Sequence, residues 1–510
     1  MRKLLIFIFL YSNIVVGQQI TFNTQSSFGY RFVFLRSVVP TDSCYYTTGM
    51  VQDSSNKIGT IFIKFDLNGD TVLTKKLISP IKRYESWFGD MIALEDGLLD
   101  IGQVTDSIEK GGIYKFNFEG DTILTKEYLS PYPDDEIFSP YEVVKFPNGK
   151  LVIMNNVEMA NLNSDILLTF HDEQYMMSAE KLYGSQMDEV PGSMILDDDG
   201  GLIIGSNRAN TNTNVNNYIS RTYIFKVDST GNMLWEYLSP NGQLRDKAYS
   251  MVRTSDGGLV VASGKGIEKV ANPSVSILLW QGYIFKLNAN HQLVWGRDLR
   301  GTRHAGSPTF CKVLPASDGT GYVAYGRLGE TVSTGTEVYG SWLVKLSNQG
   351  DSLWARYYSV FDGHLRSPTP ADFKATPDGG YIVAGLTQEE GPLNFGWLMK
   401  LDSFGCLVPG CNANDGPNAT TEQQQDLRLA IYPNPTSDFL NFELRTPQPL
   451  AAASFRILDS SGKAVKEIAS NYPRNTFIVP VREWAAGAYF LQYLEGGEVR
   501  ATERFVVVKK

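Results

Sequence analysis

Short apolar runs of four to six residues, each closed by a polar, glycine-bearing turn, recur along most of the chain. The clearest copy begins Pro377-Asp378-Gly379-Gly380, continues Tyr381-Ile382-Val383-Ala384-Gly385 and resumes at Trp397-Leu398-Met399-Lys400-Leu401-Asp402. Similar blocks start at Asp198-Asp199-Gly200-Gly201, Ser255-Asp256-Gly257-Gly258 and Ser317-Asp318-Gly319, with weaker ones at Tyr45, Glu95-Asp96-Gly97 and Pro147-Asn148-Gly149. A lysine late in each block measures the period: Lys64 to Lys115 spans 51 residues, Lys226 to Lys286 60, Lys286 to Lys345 59 and Lys345 to Lys400 55. The gap between Lys115 and Lys226 holds a degenerate copy in which Thr169 stands where the lysine would be. Short strands, Gly-rich turns and a period in the fifties match four-stranded propeller blades, whereas helical repeats are shorter and lack this turn chemistry. The pattern therefore predicts an all-β chain built on a seven-bladed β-propeller.

The turns carry a mechanism. In Asp66-Leu67-Asn68-Gly69, Asp228-Ser229-Thr230-Gly231 and Asp402-Ser403-Phe404-Gly405 the aspartate can bond the backbone two residues on, and the glycine can adopt positive φ, as a hairpin tip requires. Asp66, Asn68 and Asp70 also resemble the start of a calcium loop, but that loop places glycine sixth and a glutamate further on. The fourth to sixth repeats run on into outer strands at Leu234-Trp235, Leu293-Val294-Trp295 and Leu353-Trp354, while the seventh runs into Cys406-Leu407-Val408-Pro409-Gly410-Cys411. Ile20-Thr21-Phe22-Asn23 is then expected to supply the missing strand and close the ring.

Composition narrows the class. With 510 residues, 43% hydrophobic and 20% charged, the chain can build a large core. A net charge of −9 supplies no basic stripe to track a phosphate backbone, which argues against nucleic acid. Four cysteines are too few for a disulfide scaffold. Cys406 and Cys411, five apart around Pro409-Gly410, are expected to form a small disulfide loop, with a free pair or a metal site as alternatives; Cys44 and Cys311 are expected to stay free. Arg2-Lys3 followed by the apolar run Leu4 to Leu10 reads as a signal peptide over 1–17, with Gln18 as the mature start. That run is too short for a membrane span, and no later segment is long enough. The propeller is expected over 18–411, and the polar stretch 412–426 reads as a linker with few contacts across it.

Catalytic constellations are scarce. The four histidines, His171, His291, His304 and His364, form no HExxH, and no GxSxG nucleophile turn or paired-cysteine zinc spacing occurs. Ser263-Gly264-Lys265-Gly266 has the look of a phosphate loop but lacks the Ser or Thr that would hold magnesium. The acidic clusters Asp134-Asp135-Glu136, Asp197 to Asp199 and Glu389-Glu390 fall in expected turns, where solvation alone explains them. No catalytic, cofactor-binding or metal-ligating residue is assigned. Variable inserts are better candidates for ligand contact: Asn207, Arg208 and Tyr218 around an Asn-rich loop, Trp280 at the end of another, and His304 and His364 between blades.

The end of the chain is the most specific segment. Tyr432-Pro433-Asn434-Pro435 precedes Asp459-Ser460-Ser461-Gly462 and Gly487-Ala488-Tyr489-Phe490, and the chain finishes on Lys509-Lys510. Residues 427–510 resemble the C-terminal sorting domain (type A) of the type IX secretion pathway. The resemblance implies a small Ig-like β-sandwich and passage through the periplasm. It further implies recognition by the outer-membrane machinery, removal by its C-terminal signal peptidase, and release or attachment to surface lipopolysaccharide. The cargo is then expected to be a secreted or surface-attached monomer that binds glycan or protein without catalysis; the alternative is a propeller hydrolase or lyase acting on polysaccharide or peptide.

Overall fold

A computed structural model describes residues 19–509 apart from 87–90, 133–134, 160–162, 211–218, 241–243, 245, 272–275, 306–309, 333–334, 361–368, 389–392, 413–426, 447–452 and 471–474. The expected signal peptide and nearly all of the linker lie outside the described residues. The regular elements are strands, gathered in chain order into antiparallel sheets of mostly four strands. The first sheet is Phe32–Pro40, Tyr45–Gln52, Ile58–Phe65 and Thr71–Leu77. The second is formed by Gly97–Thr105, Glu109–Phe116 and Thr122–Tyr128, with Arg83–Glu85 and Ile92–Leu94 both paired to Gly97–Thr105.

Later sheets repeat the plan. The third runs from Asp135–Lys145 to Met177–Tyr183, the fourth from Asp188–Leu196 to Met233–Leu238, and the fifth from Ser250–Arg253 to Leu293–Ala305. The sixth runs from Phe310–Pro315 to Ser352–Val360. In the seventh, Thr369–Ala375, Tyr381–Gln388 and Asn394–Leu401 are joined by Phe22–Ser26 from the other end of the chain, with Phe22 opposite Lys400 and Ser26 opposite Gly396. Central strands are apolar on both faces because both faces are covered. Each apolar cluster lies between one sheet and the next. Phe62 with Phe116 joins the first sheet to the second, Val260 with Val344 the fifth to the sixth, and Val33 and Leu35 with Ile382 and Leu398 the first to the seventh.

The recurring lysine and the recurring turn aspartate are partners. Lys115 pairs with Asp96 at 2.6 Å, Lys226 with Asp199 at 2.5 Å, Lys286 with Asp256 at 2.6 Å and Lys400 with Asp378 at 2.9 Å; Lys345 pairs likewise with Asp318. The degenerate third repeat changes both members at once, to Asn148 and Thr169. A buried network fills that place: the Tyr128 hydroxyl donates to Asn155 Oδ1 at 3.0 Å, Asn155 Nδ2 donates to Thr169 Oγ1 at 3.1 Å, and Thr169 Oγ1 lies 3.0 Å from His171 Nε2. Hairpin tips follow the expected chemistry. Asp66 Oδ1 accepts from the backbone of Asn68 and Asp70, each at 2.9 Å, while Gly69 takes φ +83°.

The segment after the linker forms two sheets. One is Ala464–Ser470, Ala453–Asp459, Gly487–Glu495 and Glu498–Val507. The other, Arg428–Tyr432, Phe439–Arg445 and Asn475–Pro480, continues the sixth sheet, because Asn475–Pro480 pairs in parallel with Ser352–Val360. Phe442, Phe455, Phe477 and Tyr493 fill the space between them. Few contacts were expected across the linker, yet Phe439 and Ile478 belong to the same buried cluster as Tyr358, Trp397 and Leu407. A polar linker separates two stretches of chain; it does not keep apart two surfaces that can bury apolar side chains together.

Candidate functional site

The first strand of a sheet pairs on one side only, and from the third sheet through the seventh to the first these first strands pack against one another in succession. Five of them carry a β-bulge at the same place, at Leu35/Ser37, Pro140/Glu142, Pro191/Ser193, Phe310/Lys312 and Pro370/Asp372. A bulge leaves one residue unmatched and turns its neighbours, a common device for aiming side chains at functional positions. At Gly192 the extra residue must be small, since a Cβ there would lie 2.2 Å from the Ala248 carbonyl oxygen.

The residue after each bulge bonds across to the neighbouring sheet. Asp372 Oδ2 accepts from the Val38 N–H at 3.0 Å, and Lys312 Nζ donates to Asp372 Oδ1 at 2.7 Å. Ser37 Oγ accepts from the Met91 N–H at 2.8 Å, Ser193 Oγ donates to the Ala248 carbonyl at 3.0 Å, and Glu142 accepts from the Met194 N–H. Ser250 Oγ, at the matching position of the fifth sheet, donates to the Val313 carbonyl at 3.3 Å. Gln103 Nε2 adds a bond to the Phe138 carbonyl at 3.0 Å, joining the second sheet to the third. Together these bonds satisfy backbone groups that would otherwise be buried unpaired.

Against this frame sits a charged and aromatic group. Lys247 Nζ donates to the Tyr141 hydroxyl at 2.8 Å and to the Pro191 carbonyl at 3.0 Å, and lies over the rings of Tyr141 and Tyr249 at 4.9 Å and 5.1 Å. The Tyr249 hydroxyl donates to Asp246 Oδ2 at 2.8 Å. Burial pushes the Asp246 carboxyl up, and the bonds from Lys247 and Tyr249 only partly offset it. The Arg36 guanidinium stacks 3.6 Å from the centre of the Phe34 ring. Burial pulls its pKa down, partly opposed by Tyr141 and reinforced by Arg327. A guanidinium still keeps its proton at neutral pH. The Lys247 cation beside two phenols and a carboxyl can hold an anionic or hydroxyl-rich group by charge-assisted hydrogen bonds. Among the described residues no three His, Cys, Asp or Glu side chains converge as a metal site would require.

The residues singled out from the sequence are dispersed. Asn207 is buried with its amide donating to Ser220 Oγ at 3.3 Å, and Arg208 pairs with Glu189 at 2.6 Å while lying 4.0 Å over the Tyr223 ring. Both are bound up within the fourth sheet. Tyr218 and His364 lie outside the described residues. Trp280 and His304 are directly opposite each other on paired strands of the fifth sheet, whose last three strands run to 12 or 13 residues. Cys406 and Cys411 are joined by a disulfide, and Cys44 is a buried free thiol. The thiol of Cys311 lies outside the described residues.

In the C-terminal segment the motif residues have local structural roles. Tyr432-Pro433 and Asn434-Pro435 are cis peptides, and the Asn434 side chain bonds the backbone of Arg504 and Val506 at 3.1 Å and 3.0 Å. Asp459 Oδ1 accepts from Ser461 N at 2.9 Å and Lys463 N at 3.1 Å around Gly462, whose φ is +85°. Gly487 opens the strand in which the Tyr489 hydroxyl donates to the Ala485 carbonyl at 2.9 Å.

Solved structures similar to this chain include the Neurospora crassa Pan2 WD40 domain, at 8% identity over 71% of this chain and 88% of that one, TM-score 0.39. An ulvan lyase from a new family of polysaccharide lyases is 11% identical over 73% of this chain and 95% of its own, TM-score 0.47. A Penicillium chrysogenum α-L-arabinanase is 10% identical over 76% and 98%, TM-score 0.38. Comparison with curated proteins finds no match. Residues 430–508 match the family described as the secretion system C-terminal sorting domain, so this chain carries a type IX secretion sorting domain at its C-terminus.

Proposed function

We propose that the chain is a seven-bladed β-propeller delivered through the periplasm by the type IX pathway and exposed as a monomer outside the cell, where it binds glycan or protein without catalysis. The domain limits are those read from the sequence, with a signal peptide over 1–17, the propeller over 18–411, the linker over 412–426 and an Ig-like sorting sandwich over 427–510. The sorting domain implies secretion or cell-surface attachment and contact with the type IX machinery. The observation that carries the binding reading is Lys247, bonded to the Tyr141 hydroxyl and lying over the Tyr141 and Tyr249 rings beside the bulged first strands, where a cation and phenols suit acidic sugars.

A binding screen of residues 19–510 against acidic polysaccharides, neutral polysaccharides and extracellular proteins tests this. Retention of acidic polymer, weakened at least tenfold in Lys247→Ala, is expected. A second reading, a propeller hydrolase or lyase, draws on the Tyr141 hydroxyl held 2.8 Å from Lys247, a pairing able to move a proton. Release of shortened or unsaturated polymer in the same screen, lost in Tyr141→Phe, decides for it.

A further inference from the structure

The outer strands of the sheets differ in one respect. An outer strand pairs on one side only and invites association unless charge blocks it. Thr71–Leu77 carries Lys75 and Lys76, Thr122–Tyr128 carries Lys126 and Glu127, and Met177–Tyr183 carries Glu180 and Lys181. Met233–Leu238 carries Glu236, and Leu293–Ala305 carries Arg297 and Asp298. Two outer strands lack an exposed charge: Phe22–Ser26 carries none, and the Arg356 of Ser352–Val360 is buried. Phe22–Ser26 reads Phe-Asn-Thr-Gln-Ser, and the sixth outer strand ends Tyr357-Tyr358-Ser359-Val360.

Both are covered by the C-terminal domain. Tyr357 to Val360 pair in register with Asn475 to Ile478. On the closing strand, Asn23 Nδ2 donates to Asn441 Oδ1 at 3.5 Å, Thr24 Oγ1 donates to Asp438 Oδ2 at 3.5 Å, and Arg482 bonds the Gln25 carbonyl while pairing with Asp438 at 3.1 Å. Arg445 donates to the Pro409 carbonyl within the disulfide loop at 2.6 Å, and Thr21 Oγ1 donates to the Leu407 carbonyl of that loop at 2.9 Å. The docked surface is thus assembled from the sixth sheet, the disulfide loop and the closing strand, and is complete only when Phe22–Ser26 is in place. Asp459, Gly462, Gly487 and Tyr489 belong to the other sheet of the domain and its turns, which among the described residues makes no strand pairing with the repeats, whereas Tyr432 ends a strand of the docked sheet.

We propose that the sorting domain is a clamp on the closed ring, so that closure by the N-terminal strand and docking of the sorting domain are thermodynamically coupled, and the motif-bearing sheet is presented from a completed cargo. Coupling of this kind is reciprocal: whatever factor docking gains from closure, closure gains from docking. The inference stands on contacts within the chain and does not depend on which ligand the cargo binds.

The test uses the full chain with a protease site placed in the linker 412–426. After cutting, the two pieces are expected to travel together in gel filtration, and to separate in Arg482→Glu. Separation of the pieces from the otherwise unmodified chain overturns the clamp. Coupling is read independently by hydrogen exchange in the uncut Arg482→Glu protein. The amides of Phe22–Ser26 are expected to exchange about tenfold faster, with those of the fourth sheet unchanged as a control for folding. Unchanged exchange in Phe22–Ser26 overturns the coupling.

Discussion

The ε-ammonium of Lys400 lies 2.9 Å from the Asp378 carboxylate, and no part of the lysine side chain is exposed. Burial pulls the Lys400 pKa down, partly opposed by Asp378. Burial also pushes Asp378 up, but bonds from Thr376 and Lys400 more than reverse it. Removing one member of a buried pair strands the other, whereas replacing the charge with an apolar side chain of similar length is often tolerated. Asp378→Ala is expected to cost about 2 kcal/mol or more, and Asp378→Ala combined with Lys400→Met less than the single change. Urea unfolding of the single and double variants decides; a larger loss in the double variant contradicts the account.

Trp397 is 1% exposed and its indole N–H donates to Asn23 Oδ1 at 2.6 Å. It therefore anchors both the core and the closing strand. Trp397→Ala is expected to cost roughly 3–5 kcal/mol, and the half-buried Trp354 appreciably less when truncated. Thermal unfolding of the two variants should order them so, and equal losses would show that burial is not what sets the difference.

His171 gives the fold a pH dependence. Burial against Tyr128 pulls its pKa down to about 4, only partly opposed by the Tyr175 backbone and Asp172. An unfolded histidine titrates near 6.5, so between there and about 4 the unfolded chain binds more protons than the native one. The neutral ring is tolerated above that window, and stability falls as pH drops through it, by up to roughly 3 kcal/mol. His171→Gln should flatten this part of the stability curve. An unchanged slope between pH 6.5 and 4 would place the titration elsewhere.

Deleting 427–510 is expected to leave the protein in the periplasm, since that segment carries the sorting domain. Because Phe439 and Ile478 lie within a cluster shared with the sixth and seventh sheets, the shortened protein should also unfold at a lower temperature. Cell fractionation and calorimetry measure the two effects separately. Normal surface delivery of the shortened chain contradicts the first, and an unchanged unfolding temperature the second.

Strands, turns and the sorting domain were legible because their causes are local. Asp-x-x-Gly sets a hairpin tip through bonds made within five residues, and an apolar run with β-branched and aromatic residues makes a strand whatever lies beyond it. The pairing of Asp378 with Lys400 was present too, as two recurring positions that change together at Asn148 and Thr169. Ser37, Glu142, Ser193, Ser250, Lys312 and Asp372 likewise recur just ahead of the apolar part of each first strand, a polar signal that repeat spacing alone does not interpret. Their partners belong to the next repeat, 52 to 63 residues away, or 334 away where Asp372 meets Val38, and only folding brings them within bonding distance. The same holds for Tyr141 and Lys247, which come from the third sheet and from the segment leading into the fifth, and for the docking of Phe439 beside Trp397. Local chemistry decides what each segment becomes. Burial of apolar surface and satisfaction of buried polar groups, summed over distant segments, decide which of them meet.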